Sequence, residues 1–414
     1  MSKNLLVIGF VWPEPNSTAA GSRMLQLIDF FKENNYKITF VSTAQKSDNS
    51  YPLEKLDINT FFIKVNHKSF DELIKEIDPD IVLFDRFLTE EQFGWRVSEN
   101  CPKALKILDT EDLHFLRYAR HQAYKTKEDV TLTHLVNDLT KRELASIYRC
   151  DISLIISEYE MNLLQSIFKI DDNLLCYLPF LLDKIKITAM NNYPDFEDRT
   201  NFITIGNFKH KPNLESVIFL KKVIWPLIRI KLPDTNILIY GAYLPKQIKQ
   251  MHDPSEGFIV EGWTEDKEKV FANARVCLAP LHFGAGLKGK LLDTMNFCTP
   301  NITTTIGAEG MHNNLPWNGF ITNDNEDFAL KAVELYNNKV IWEVSQTNGI
   351  NIINKCYSKE RFHSIFKSKI NKSRKNLEKL RLNNFTGSML NHHTMQSTKY
   401  LSKWIEEKNE KSRD

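Results

Sequence analysis

Ala279 to Met311 reads APLHFGAGLKGKLLDTMNFCTPNITTTIGAEGM. An apolar run ends at Pro280, and a loop carrying Gly284, Gly286 and Gly289 follows. Lys288 and Lys290 sit among those glycines, and Leu291, Leu292 and Met295 then mark one face of a helix. Pro300 to Thr304 gives a second strand before Gly307 and Gly310. Glycines let a backbone approach a ligand closely, and a helix start presents unpaired N–H groups that suit an anion. A phosphate-bearing ligand fits this stretch. So does a strand–turn–helix unit with a solvated, lysine-bearing turn.

The 414 residues around it suit two domains of about 150–200 residues each. A net charge of +2 gives no reason to expect nucleic acid as a partner. Six cysteines are scattered without CxxC pairs or histidines at ligand spacing, which points to free thiols in a reducing cytoplasm. Leu5 to Trp12 is too short to span a bilayer and is cut by Pro13 and Pro15, so no signal peptide or transmembrane segment is expected.

In the first half, strands are expected at Leu5–Phe10, Lys37–Ser42, Phe61–Val65, Ile81–Phe84 and Leu105–Leu108, with helices at Phe70–Ile77 and Glu90–Ser98. That alternation predicts a doubly wound parallel sheet with ligands beyond the carboxyl ends of its strands. Three loops then matter: Trp12 to Gly21, Asp85-Arg86-Phe87, and Asp109 to His114. Gly21 lets a ligand near the backbone at a helix start, and Arg23 in the first turn suits an anion contact. In the third loop four polar residues precede His114, with Arg117 and Arg120 at helical spacing. A helix capped by Asp109 or Thr110 accounts for the acids but not for the histidine. Val130–Tyr148 reads as one long charged helix, and Asp151–Ser157 as a strand. A helix from Tyr159 to Phe168 follows it. Leu178–Thr200 lacks periodicity and marks a domain boundary.

The pattern restarts at Phe202–Ile205 and runs into Gly206-Asn207-Phe208-Lys209-His210-Lys211-Pro212-Asn213. A glycine turn with Lys209 and Lys211 at a helix start suits a diphosphate, or equally a basic surface turn. One helix, Leu214–Ile230, is expected next, with Trp225 and Pro226 inside it. Strands Ile237–Tyr240, Phe258–Glu261 and Val276–Ala279 end at Gly241, at Gly262-Trp263 and at the opening stretch. Core packing is one account of Trp263. Helices at Asp327–Asn337 and Val340–Ile353 lead to a basic segment, Ser358–Leu382, which offers peripheral contact with anionic membrane. His392-His393 has no third ligand nearby, so no metal site is expected.

Pro280-Leu281-His282-Phe283-Gly284-Ala285-Gly286-Leu287-Lys288-Gly289-Lys290, with Thr303-Thr304 and Ile306-Gly307-Ala308-Glu309-Gly310 after it, resembles the hallmark of nucleotide-sugar-dependent glycosyltransferases of the GT-B fold, close to family 4 (group 1). The segment from Gly206 to Asn213 is similar to the same family. The resemblance implies an α/β protein with two Rossmann-like, doubly wound domains facing a central cleft. An acceptor domain would span 1–182, a linker 183–200 and a nucleotide-sugar donor domain 201–355. A basic helical extension, 356–414, would cross back to the first domain through Tyr357–Ile370. Gly206, Lys209, Lys211, Gly262, Trp263, Gly284, Gly286, Lys288 and Asp293 would hold the donor. His114 would lie near the transferring sugar as the catalytic residue, with Gly21, Arg23 and Asp109 on the acceptor or phosphate side. The family's pattern has two glutamates separated by seven residues, the second on the ribose. Here those positions hold Ala285 and Asp293, and Cys298-Thr299-Pro300 replaces the usual Gly-Pro. The implied function is metal-independent, retaining transfer of a sugar from a nucleoside diphosphate to a glycan, glycolipid or protein, with no further cofactor. A catalytically weak scaffold and a nucleotide-sugar epimerase of the same fold stand beside it. The expected location is the cytoplasm, with peripheral contact at the inner membrane surface through the basic segment.

Overall fold

Short apolar runs between amphipathic helices can bury both faces of a strand only in a helix-covered parallel sheet, and the chain forms two of them. The computed structural model describes residues 3–411. The first sheet holds β1 (Lys3–Gly9), β2 (Tyr36–Ser42), β3 (Asn59–Phe62), β4 (Ile81–Asp85), β5 (Leu105–Asp109), β6 (Ile152–Ile155) and β7 (Leu175–Tyr177). Its order is β3-β2-β1-β4-β5-β6-β7. The second holds β8 (Thr200–Ile205), β9 (Ile237–Tyr240), β10 (Phe258–Gly262), β11 (Ala274–Ala279), β12 (Asn301–Thr303) and β13 (Gly319–Ile321), ordered β10-β9-β8-β11-β12-β13. Pairings within both are parallel. Alternate residues of β1 feed opposite cores: Leu5 and Val7 pack with the helix Ala19–Glu33, and Leu6 and Ile8 with the helices of the other face. The fold is the doubly wound pair of domains expected.

Three local expectations change. Val130–Tyr148 is two helices, Leu132–Leu135 and Asp138–Arg149. Asn137 restarts the second by a reciprocal capping box with Thr140, a signal that outweighs the charge pattern. The helix after Gly206 begins at Lys211 and passes through a π segment, Leu220–Ile224, before Trp225–Lys231. Pro226 has no N–H to give to the preceding turn, and the wider π turn accommodates it. Asp85-Arg86-Phe87 is no loop, since a helix, Arg86–Asn100, starts directly after β4.

Two crossings join the domains side by side. Leu182 N donates to Tyr357 O at 2.8 Å and Lys359 N to Leu182 O at 2.9 Å. Beyond them, the helix Lys359–Lys375 buries Phe362, Phe366 and Ile370 in the first domain's core, beside Phe30 and Phe31. Each such side chain contributes about 1.5–3 kcal/mol on burial. Arg374 pairs with Asp80 at 2.5 Å, and Arg381 with Asp151 at 2.8 Å. The last helix, Phe385–Lys411, lies against the same domain through Arg96 and Glu406 at 2.6 Å. Among the described residues no helix is long and apolar enough to cross a membrane.

Candidate functional site

Both sheets reverse their winding once, between β1 and β4 and between β8 and β11, and each reversal opens a crevice at the strands' carboxyl ends. The two crevices face one another. On the second domain's side, three turns stack through backbone bonds: Gly206 N donates to Tyr240 O at 3.2 Å, and Gly241 N to Gly262 O at 2.7 Å. Gly262 has φ +90, and a Cβ there would meet nothing closer than Leu244 at 4.0 Å. Conformation, not space, calls for glycine at that position. Trp263 is 44% exposed and its Nε1 donates to Ser17 Oγ at 3.2 Å across the cleft. Core packing therefore does not account for it.

Lys209 and Lys211 are exposed. Lys209 Nζ stands 3.4 Å from the centre of the Tyr243 ring, whose hydroxyl donates to both Glu14 oxygens at 2.7 and 2.8 Å. Between the lysines, burial among cations lowers the His210 pKa to about 4, and its imidazole is neutral at pH 7.

The glycine loop is pressed against the first domain. Gly284 O accepts from Arg120 Nη1 at 2.8 Å, and Gly286 N donates to Glu160 Oε1 at 2.9 Å. Gly286 has φ +62, and a Cβ on it would lie 2.7 Å from Asp112 Cβ, so both its conformation and its neighbour require glycine. Lys288 is buried and its Nζ donates to Gly286 O at 2.9 Å. Burial lowers its pKa to about 8, opposed by Glu309, which leaves the ammonium charged at pH 7. Asp293, in the helix Gly289–Asn296, receives Lys267 Nζ on both oxygens at 2.9 and 3.1 Å.

The facing wall is built on β4 and β5. Gly21 sits where a Cβ would strike the backbone of Glu14 at 2.5 Å, so it lets the preceding loop fold back over its helix start. Arg23 and Asp109 are fully buried and paired: Nε reaches the two oxygens at 3.0 and 3.1 Å, and Nη2 one of them at 2.8 Å. Nη1 donates to Leu178 O at 2.8 Å. Every nitrogen of this guanidinium has a partner, which makes Arg23 a strut of the wall where its sequence position suggested an anion contact. His114 opens the helix His114–Thr126, whose cap position is Leu113 and not Asp109 or Thr110. Glu143 and Glu160 carboxylates take its first N–H groups instead: His114 N at 3.2 Å, Phe115 N at 3.0 Å and Leu113 N at 2.9 Å. His114 Nε2 lies 3.4 Å from Asp112 Oδ1, and its ring meets Phe87 edge-on. Burial lowers its pKa to about 3, so it too is neutral at pH 7.

A fork closes the two walls together. Arg120 binds both oxygens of Glu309 at 2.7 Å, while His121 stacks on Phe283 and Tyr124 on His282. Arg120, His210 and Glu309 stand inside stretches the sequence singled out, and Asp112 follows Asp109 in the same loop, but nothing local told what each meets. Glu160 stands at the end of a Ser-x-x-Glu pattern, Ser157 to Glu160, that reads most simply as a helix cap. Ser157 does cap the helix, while the Glu160 side chain reaches Gly286 across the cleft. Lys267 carried no sequence signal beyond its charge.

Residues 199–338 match the family described as Glycosyl transferases group 1. The second domain is a group 1 glycosyltransferase domain. Solved structures extend the likeness to the whole fold. TarM of S. aureus aligns with a TM-score of 0.65 at 12% identity, over 90% of this chain and 99% of its own. Sucrose-phosphate synthase from Thermosynechococcus elongatus aligns at 0.63 and 12% identity, over 89% and 98%. HepE of Anabaena, solved with UDP, aligns at 0.61 and 12% identity, over 89% and 100%. These likenesses show the GT-B fold. An uncharacterized 44.6 kDa protein of the Klebsiella pneumoniae cps region is 27% identical over 175 residues. That match covers 40% of this chain and 45% of the relative's length. The glycine loop lies within the matched residues, and it meets the first domain at Arg120, Glu160 and Asp112.

Proposed function

We propose that this protein is a retaining, metal-independent glycosyltransferase that moves a sugar from a nucleoside-diphosphate donor to a glycan, glycolipid or protein acceptor. The observation that carries the reading is the glycine loop with its buried, charged Lys288, held against a wall that presents His114. Lys288, the N–H groups at the start of Gly289–Asn296, and Lys209 or Lys211 would neutralise the diphosphate as it leaves. A preorganised positive environment in a buried site stabilises that developing charge. Gly206, Gly262 and Trp263 would border the nucleotide. His114, neutral and packed edge-on against Phe87, would hydrogen-bond at the transferring sugar. Solved relatives support a uridine donor: HepE has been determined with UDP and with UDP-glucose.

Asp293 favours a second reading. Its carboxylate, expected on the ribose, is occupied by Lys267, as suits a module that binds weakly and acts as a scaffold. A cytoplasmic location agrees with the free cysteines. Lys367, Lys372 and Lys375 stay exposed on the C-terminal extension and supply the charge for peripheral contact with anionic lipid. Incubation with a panel of UDP-, GDP- and ADP-sugars, reading free nucleoside diphosphate, tests the proposal. Release from one donor is expected. A new nucleotide sugar in its place would indicate an epimerase, and binding without turnover the scaffold.

A further inference from the structure

We propose that Asp112 is the resident counter-ion of the diphosphate site: its carboxylate neutralises a ring of cations at the glycine loop, and the donor's diphosphate displaces it. The inference rests on the nucleotide-sugar reading and deepens it. Position is the first argument. Asp112 belongs to the first domain, yet its Cβ lies where a side chain on Gly286 would begin, 2.7 Å from an added Cβ. The residue therefore abuts the loop that is to receive an anion.

Charge is the second argument. Arg117 Nη1 donates to Asp112 Oδ2, and Arg86 and Lys288 are further cations that act on the same carboxylate. His114, with Nε2 3.4 Å from Oδ1, and His210 are neutral at pH 7 and add no charge. The other carboxylates nearby are already engaged. Asp109 is held by Arg23, Glu309 by Arg120, Asp293 by Lys267, and Glu143 by two backbone N–H groups. Glu160 Oε1 is spent on Leu113 N and Gly286 N. Burial pushes the pKa of Glu160 up to about 7 and that of Glu111 above its usual range, so each carries less negative charge at pH 7 than Asp112 does. Asp85, 3.6 Å from Arg86, shares that one cation. Asp112 is the carboxylate that holds Arg117, and it adds to Glu309 in the field felt by Lys288.

Backbone geometry is the third. Glu111, immediately before, holds φ +64, a left-handed conformation that a residue with a side chain seldom adopts. That turn sets Asp112 against Gly286 of the other domain.

A carboxylate and a diphosphate held in one site repel each other. Asp112→Asn should then bind inorganic pyrophosphate, and the matching nucleoside diphosphate among UDP, GDP and ADP, at least about fivefold more tightly by calorimetry. Asp112→Glu, which keeps the charge, should stay near the wild type. Asp112→Ala, measured alongside, should follow the asparagine variant without offering an amide to Arg117. Equal or weaker binding by both neutral variants would overturn the inference, because a fixed orienting role for Asp112 predicts that result. If neither the wild type nor any folded variant binds pyrophosphate or a nucleoside diphosphate, the nucleotide-sugar reading itself falls, and the inference falls with it.

Discussion

Arg23→Ala is expected to remove about 3–5 kcal/mol of stability, the cost of leaving a buried charge without its partner. Arg23 and Asp109 are 1% and 0% exposed, and the guanidinium also holds the carbonyl of Leu178. It thereby ties the helix Ala19–Glu33 to the end of β5 and to the chain leaving β7. Its own pKa is raised because the Asp109 carboxylate outweighs burial. Alanine would strand Asp109 beside Asp85 and Glu111. Denaturant unfolding measures the loss. Arg23→Ala with Asp109→Ala together should cost less than Arg23→Ala alone, since no orphaned carboxylate remains. A loss under about 1 kcal/mol, the range of an exposed pair, would contradict this account of the wall.

Arg120→Ala is expected to have the second large effect, and to have it on turnover. The residue binds Glu309 and Gly284 O from the opposite domain and lies 4.8 Å from the centre of the Tyr159 ring. Truncating one partner of a buried, hydrogen-bonded charge pair costs about 2–5 kcal/mol, which corresponds to roughly thirtyfold or more in the closed population. Each domain keeps its own core, so unfolding should change less than donor turnover. The measurement is kcat/KM for nucleoside diphosphate release beside the radius of gyration in solution. A large fall in kcat/KM with a more open particle is the expected pair. Unchanged turnover would show that the fork does not govern closure. Exchanging the charges, Arg120→Glu with Glu309→Arg, should recover part of the loss.

The parts of this molecule legible in sequence are those written in neighbouring residues. Apolar runs such as Leu5 to Ile8, Ile81 to Phe84 and Val276 to Ala279 marked most strands of the two sheets, while the three-residue β7, Leu175–Tyr177, was too short to show. The glycine loop was legible because three glycines and two lysines fall within a few residues of one another. Where reading failed locally, a short-range device had overridden periodicity, as with the Asn137 capping box and Pro226. The pairings that make the cleft were not legible at all. Arg120 and Glu309 are 189 residues apart, and Glu160 and Gly286 are 126 apart. Only the docking of one domain on the other brings them together. Arg23 shows the same limit from the other side. An arginine in a first helical turn suits an anion, and the anion it found is Asp109, 86 residues away.

Thermal stabilisation by nucleoside diphosphates in the wild type, Asp293→Ala and Lys288→Ala tests most directly that the glycine loop is the donor site. Binding at saturating ligand raises stability by an amount set by the ratio of concentration to Kd. The wild type should be stabilised by UDP, GDP or ADP, and both variants should lose most of that shift. Equal stabilisation of all three proteins would place the nucleotide elsewhere and contradict the assignment.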